Sequence, residues 1–198
     1  MNPHIKRMLR KIVSPIRRLG LKNRDFSIIS NNCWGGYIYD CYGMKYLTPT
    51  IGLYFSSSDY IKFISNLKYY LTLDLVEMKE LQSKCKVNGK LGDIVIHFLH
   101  YDNFKEAKVK WEKRKKRINF SNLIIKMNDQ NGCTLDDFSR FKELEYENKL
   151  FFTCNKSYIG DFVVYFNNDN NGAFLKDDIK SSKKYINIKK YLNKINRR

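Results

Sequence analysis

The sequence predicts an α/β domain with a largely parallel or mixed sheet and flanking helices. Three observations carry that expectation. Short apolar runs that suit strands recur along the chain, and most are separated by segments with helical periodicity. No internal repeat and no long linker divides the chain. In 198 residues, 43% hydrophobic and 15% aromatic content is enough to bury a sizeable core in one domain.

The first element is a basic amphipathic helix within residues 1–24. Ile5, Met8, Leu9, Ile12, Val13, Ile16 and Leu19 fall at helical spacing and cations fill the other face. Pro15 bends or divides it and Gly20 can end it. Residues 25–198 form the α/β domain, with a small C-terminal annex placed after about residue 167, where "NNDNNG" reads as loop. "DFSIIS" (25–30) is a short buried strand, and "GYIYDCYGM" continues as a helix after a turn. "TPTIGLYF" (48–55) is read as a second strand with Pro49 tolerated at its start.

"SSSDYIKFISNLKYYLTL" (56–73) is one helix with serine caps, Asp59 in its first turn and Tyr60, Phe63, Ile64, Leu67 and Leu71 inward. "CKVNGKLGDIVIHFLHY" holds a hairpin-like Asn-Gly pair and then a strand over 93–99. Residues 103–118 form a basic helix. A strand in "NFSNLIIKMND", a capped helix in "TLDDFSRFKELEY" and strands in "KLFFTCN" and "FVVYFNN" follow, and "YINIKKYLN" adds a last strand or helix.

Charge is distributed unevenly. The net charge is +17, and residues 1–24 hold eight Lys/Arg with no acid. Residues 103–118 hold eight against two acids, and residues 176–198 nine against two. Such segments attract anionic lipid head groups, phosphorylated substrates or nucleic acid. An AT-rich coding bias accounts for the same lysines without function. No RNA-binding motif is present, so no specific nucleic-acid partner is expected. Five scattered cysteines suit a reducing compartment. No apolar run reaches the roughly 18 residues of a bilayer span, and the first 20 residues lack a signal-peptide core. The expected location is the cytoplasm, with peripheral contact on an anionic inner membrane face added by the basic helix.

Two segments follow strands where α/β sheets bind ligands. In "NNCWGG", Gly35 and Gly36 let backbone approach a ligand, Asn31 and Asn32 donate and accept through their amides, and Cys33 lies near a helix N-terminus that can lower its thiol pKa. Against this, Cys33 is a small buried filler, Trp34 a core residue and the asparagines caps. The second segment, "HFLHYDNFKEAKVKWEKRKKRIN", places His100 near a strand's carboxyl end as a general base. It pairs Arg114 with Arg117, whose guanidiniums suit phosphate or carboxylate; the plainer reading is a solvated helix face. No CxxC, HExxH or DxD pattern occurs, so no metal is expected and any cofactor is unknown.

"FSIISNNCWGGYIY", "PTIGLYFSSSDYIKFISNLKYYL", "LGDIVIHFLHYDNFKEAKVKWEKRKKRIN" and "LFFTCN" together resemble a bacterial family labelled exopolysaccharide biosynthesis protein, or domain of unknown function 1919. The resemblance covers roughly residues 5 to 195. It implies work on capsule or surface polysaccharide but supplies no catalytic residues. The expectation is a transferase using an anionic or phosphorylated donor: a nucleotide sugar, an acyl-coenzyme A or a polyprenyl-linked saccharide. Acyl transfer is slightly favoured, because the chain is short for a two-domain glycosyltransferase and lacks metal-anchoring acids. His100 would serve as base and Cys33 as nucleophile or wall. Asn31, Asn32, Gly35, Gly36, Arg114 and Arg117 would bind substrate in one cleft. The alternatives are a non-enzymatic subunit that binds saccharide or lipid carrier, and a nucleic-acid-binding protein.

Overall fold

A computed structural model describes residues 12–79, 85–167 and 174–195 of the 198-residue chain. In chain order its elements are β1 (Ser27–Ser30), α1 (Trp34–Tyr42), α2 (Ser57–Ser65), α3 (Leu67–Thr72), β2 (Leu75–Glu77), β3 (Val87–Leu91), β4 (Ile94–Phe98), α4 (Phe104–Lys115), β5 (Leu123–Asn128), α5 (Leu135–Glu143), β6 (Lys149–Thr153), β7 (Val163–Tyr165), α6 (Asp178–Tyr185) and α7 (Ile188–Lys194). Residues 12–18 are also helical, and the start of the expected N-terminal helix lies outside the described residues.

The α/β class is as expected, but the strands divide between two sheets. A four-stranded sheet runs β1-β5-β6-β7 with every pair parallel, and a three-stranded sheet runs β2-β3-β4, antiparallel. Strands β1, β5 and β6 of the parallel sheet are buried on both faces, which is why they read as near-continuous apolar runs. Ile28, Ile124, Leu150 and Phe152 point to one face, where Trp34 and Tyr39 of α1 and Leu192 of α7 cover them. Ile29, Ile125, Met127 and Phe151 point to the other, with Phe63 of α2, Ile96 of β4 and Trp111 of α4. Residues 174–195 share the core of the first face and are tied to the chain's beginning. Asn193 accepts from the Lys22 N–H (2.8 Å) and donates to the Gly20 carbonyl (2.7 Å).

Three local expectations are corrected. Residues 48–55 do not form a named strand; they run between the edges of the two sheets. Thr50 Oγ1 accepts from the Ser30 N–H (3.2 Å), the Phe55 N–H donates to the Asn31 carbonyl (3.1 Å), and Tyr54 exchanges two backbone bonds with His97 (2.9 and 3.0 Å). The segment thereby covers edges that would otherwise expose unpaired backbone. The expected single helix over 56–73 divides at Asn66, whose φ of −137° and ψ of 51° are not helical. Asn88-Gly89 sits inside β3, and the hairpin turns instead at Gly92-Asp93, where Gly92 takes φ 63°.

Gly89 is inside the strand because there is no room for a side chain. A Cβ there would lie 2.8 Å from Leu75 Cδ1, 3.1 Å from Phe98 and 3.2 Å from Phe104. Gly89→Ala should therefore destabilise the fold by about 1–3 kcal/mol, the usual cost of overpacking. Urea unfolding measures it, and an unchanged midpoint would contradict this packing.

Candidate functional site

The strongest polar feature lies at the carboxyl ends of β1 and β5. Lys126 shares the face of Ile124 and Asn128 on β5, and its side chain is 0% exposed. Its ammonium lies 5.1 Å from the Phe152 ring centroid and 5.9 Å from that of Trp34. Nζ pairs with Asp178 of α6, itself 3% exposed, and donates to Asn32 Oδ1 at 3.1 Å. The same carboxylate oxygen, Asp178 Oδ2, accepts from Asn32 Nδ2 and from Asn128 Nδ2, both at 2.9 Å. Asn31 Nδ2 donates to Asn128 Oδ1 at 2.8 Å, while Asn31 Oδ1 is buried and accepts no hydrogen bond among the described residues. Burial pushes the Lys126 ammonium below the ordinary lysine range, and the charge and hydrogen bond of Asp178 oppose that shift.

The next residues along the rim hold the segment that carries Asp178. Asp129 accepts from Thr153 Oγ1 (2.7 Å) and the Cys154 N–H (3.3 Å), and its second oxygen accepts from the Leu175 N–H (2.8 Å). Gln130 Nε2 donates to the carbonyls of Leu175 and Lys176. Burial raises the Asp129 pKa despite these donors. Among the described residues, no group of three or more His, Cys, Asp or Glu is placed to hold a metal ion.

The residues singled out in the sequence fall into three places. Asn31 and Asn32 belong to the buried cluster. Gly35 and Gly36 face packed side chains: added Cβ atoms would meet Ile28 Cγ2 at 3.0 Å and Ile51 Cδ1 at 3.4 Å, so these glycines let α1 press against β1 and its neighbouring segment. Cys33, Tyr101 and His100 converge on residues 51–53. The Cys33 thiol donates to the Leu53 carbonyl (3.8 Å), the His100 N–H to the Gly52 carbonyl (3.0 Å) and the Tyr101 hydroxyl to the Ile51 carbonyl (2.7 Å).

Arg114 reaches this point through Tyr101, donating to its hydroxyl at 2.7 Å, and lies 5.0 Å from the Tyr46 ring centroid. Arg117 donates to the Tyr46 carbonyl at 3.5 Å. His100 itself is exposed on the turn after β4, a strand of the antiparallel sheet. The expected lowering of the Cys33 pKa is reversed: burial, followed by the negative charge of Asp178, pushes the thiol up to about 11, with Lys126 acting against them.

Lys126 and Asp178 were the residues that sequence reasoning missed. The available signal was a lysine inside the apolar run "LIIKMN", which a strand buried on both faces tolerates only with a counter-charge.

Comparison with known proteins places residues 4–197 in a match to the family described as Domain of unknown function (DUF1919). A Haemophilus influenzae protein described as uncharacterized is 36% identical over 133 residues, covering 67% of this chain. The match spans 64% of that relative's own length.

Two outcomes are expected. Asp178→Ala leaves a buried ammonium unpaired and should cost about 3–5 kcal/mol in urea unfolding, whereas Lys126→Met with Asp178→Leu should recover most of that loss. Equal stability for the single and double variants would refute the pairing. With a raised folded-state pKa, Cys33 favours the fold below pH 9 and loses that contribution as pH rises toward 11. Iodoacetamide labelling, read by peptide mass, should accordingly be far slower at Cys33 than at free cysteine at pH 8; matching rates would show an activated thiolate.

Proposed function

The chain belongs to the DUF1919 family, and we propose that it is a transferase of capsule or exopolysaccharide assembly that uses an anionic or phosphorylated donor. The observation that carries this reading is the convergence of Lys126 Nζ, Asn32 Nδ2 and Asn128 Nδ2 on one carboxylate oxygen at the end of a parallel sheet. Donors fixed in advance around one oxygen, away from water, suit an oxygen that carries or gains negative charge during group transfer. The Asp178 carboxylate stands where such an oxygen would sit. The resemblance of the chain's long segments to exopolysaccharide biosynthesis proteins supplies the substrate class.

In this reading a sugar hydroxyl of the acceptor attacks the donor's acyl or anomeric carbon. The new carbon–oxygen bond forms as the bond to the leaving group breaks, and the leaving group keeps that electron pair. His100, exposed on the turn after β4, takes the hydroxyl proton, and the lysine and carboxamides stabilise the charged oxygen once Asp178 has withdrawn from them. Cys33, whose thiol stays protonated at neutral pH, is a wall rather than the nucleophile. Arg114 and Arg117 are held by Tyr101 and Tyr46, away from this cluster, and add only general positive potential. Contact with an anionic bilayer is supported by Ile12, Ile16 and Leu19, which are 63%, 66% and 69% exposed on the basic N-terminal segment. Each Lys or Arg near such a surface adds about 1 kcal/mol. No helix among the described residues is long and apolar enough to cross a membrane.

The test joins genetics to turnover. Deleting the gene should remove one substituent or sugar from the surface glycan, read by proton NMR, and Lys126→Gln, checked for folding by circular dichroism, should fail to restore it. The purified chain should transfer from acetyl-coenzyme A or UDP-glucose to the deletion strain's glycan, and His100→Ala should slow turnover by about 100- to 10,000-fold. An unaltered glycan would remove the polysaccharide role. An altered glycan without transfer from either donor would favour the carrier-binding alternative, to which the closed Lys126–Asp178 pair also lends itself.

A further inference from the structure

A cavity lies between α1, α6, α7 and Arg17. It encloses about 500 Å³, within the roughly 300–1,000 Å³ of small-molecule sites. Ile38, Cys41, Tyr42 and Ile188 line it and are buried, forming an apolar floor. Arg17, Lys183, Lys184 and Lys189 also line it, and no carboxylate does among the described residues. Lys183 Nζ lies 5.3 Å from the Tyr37 ring centroid, and Lys189 Nζ donates to the Leu19 carbonyl at 2.9 Å. Four cations around an apolar floor, without counter-charge in the lining, call for a ligand that is both anionic and apolar.

We propose that this cavity binds the phosphate or diphosphate end of an amphiphile, with the first part of its hydrocarbon chain against Ile38, Tyr42 and Ile188. Two further observations select this class over a nucleotide. The lining lacks the carboxylate that commonly reads ribose hydroxyls. Arg17 also sits beside Ile16, which belongs with Ile12 and Leu19 to the exposed apolar row, so the cavity borders the surface best suited to lipid.

The cavity is joined to the sheet-end cluster by α6. Ser182 lines the cavity and accepts from Trp34 Nε1 at 3.1 Å, and the Trp34 ring lies over Lys126. One helical turn earlier on α6, Asp178 holds Lys126. The inference goes beyond the transfer reading and is read out as binding, so its failure leaves that reading standing.

The experiment is calorimetric titration of the purified full chain with farnesyl diphosphate, inorganic pyrophosphate and uridine diphosphate at about 0.15 M salt. Farnesyl diphosphate should bind at least about tenfold more tightly than either comparator. Lys183→Glu with Lys184→Glu should weaken it by at least about tenfold, whereas Lys105→Glu with Lys116→Glu, the same charge change at exposed sites on and beside α4, should alter it by less than about twofold. If the glutamates disturb folding, Lys183→Gln with Lys184→Gln should give the same ranking. Pyrophosphate binding as tightly would reduce the site to bulk charge, and tighter uridine diphosphate binding would make it a nucleotide site. Equal losses in the two glutamate variants, or no farnesyl diphosphate binding, would equally overturn the proposal.

Discussion

A lysine in the middle of a strand that is covered on both faces constrains most of what surrounds it. Lys126 cannot reach water, and an unpaired ammonium in that position costs several kcal/mol. Its ammonium lies beside the Trp34 and Phe152 rings, and its charge is met by a carboxylate 52 residues further along the chain. The C-terminal segment must therefore come back over the carboxyl end of the sheet. Asp129 and Gln130 hold the backbone of Leu175 and Lys176 in the position from which α6 can begin with Asp178 directed at the lysine. Asn32 and Asn128 then supply the remaining hydrogen bonds, so that the pair forms part of a connected polar network rather than an isolated buried ion pair.

Residues 47–55 solve a second problem, the joining of two sheets with different strand directions. The irregular segment gives a side-chain bond to β1 and a backbone bond to Asn31 just beyond it on one side, and backbone bonds to β4 on the other. Gly52, at φ 69°, brings the carbonyls of residues 51–53 to Tyr101, His100 and Cys33. The arginine-bearing helix and the asparagine-cysteine corner thus meet through backbone at one short segment, with Tyr101 as the link to Arg114.

The parallel strands and capped helices were legible because each carries its own local signal. Buried runs such as "SIIS" and "LFFT" read as strands, and Ser56, Asn103 and Thr134 each accept a backbone N–H at the start of a helix. What local reading missed depended on tertiary contacts. Asn88-Gly89 carries the strongest short hairpin signal, yet Leu75, Phe98 and Phe104 converge on Gly89, and the turn falls at Gly92-Asp93. The apolar pattern of 48–55 is real, but its partners lie on two sheets. Of the candidate site, Asn31 and Asn32 were visible as an unusual pair, whereas Lys126 and Asp178 acquire meaning only when β5 and α6 are brought together. The Cys33 thiol shows the same limit: a helix N-terminus favours thiolate, but burial and a nearby carboxylate outweigh it.

One short helix, α6, contributes residues to both the sheet-end cluster and the cationic cavity. Residues 178 and 182 are one turn apart and lie on the same side of the helix, where one carries the carboxylate for Lys126 and the other the hydroxyl for Trp34. Lys183 and Lys184 point their charges toward the cavity. Any displacement that brings α6 toward an anion in the cavity must also move Asp178 relative to three donors that hold one of its oxygens. A buried ion pair tolerates little such movement, because its Coulomb gain offsets desolvation only at close range.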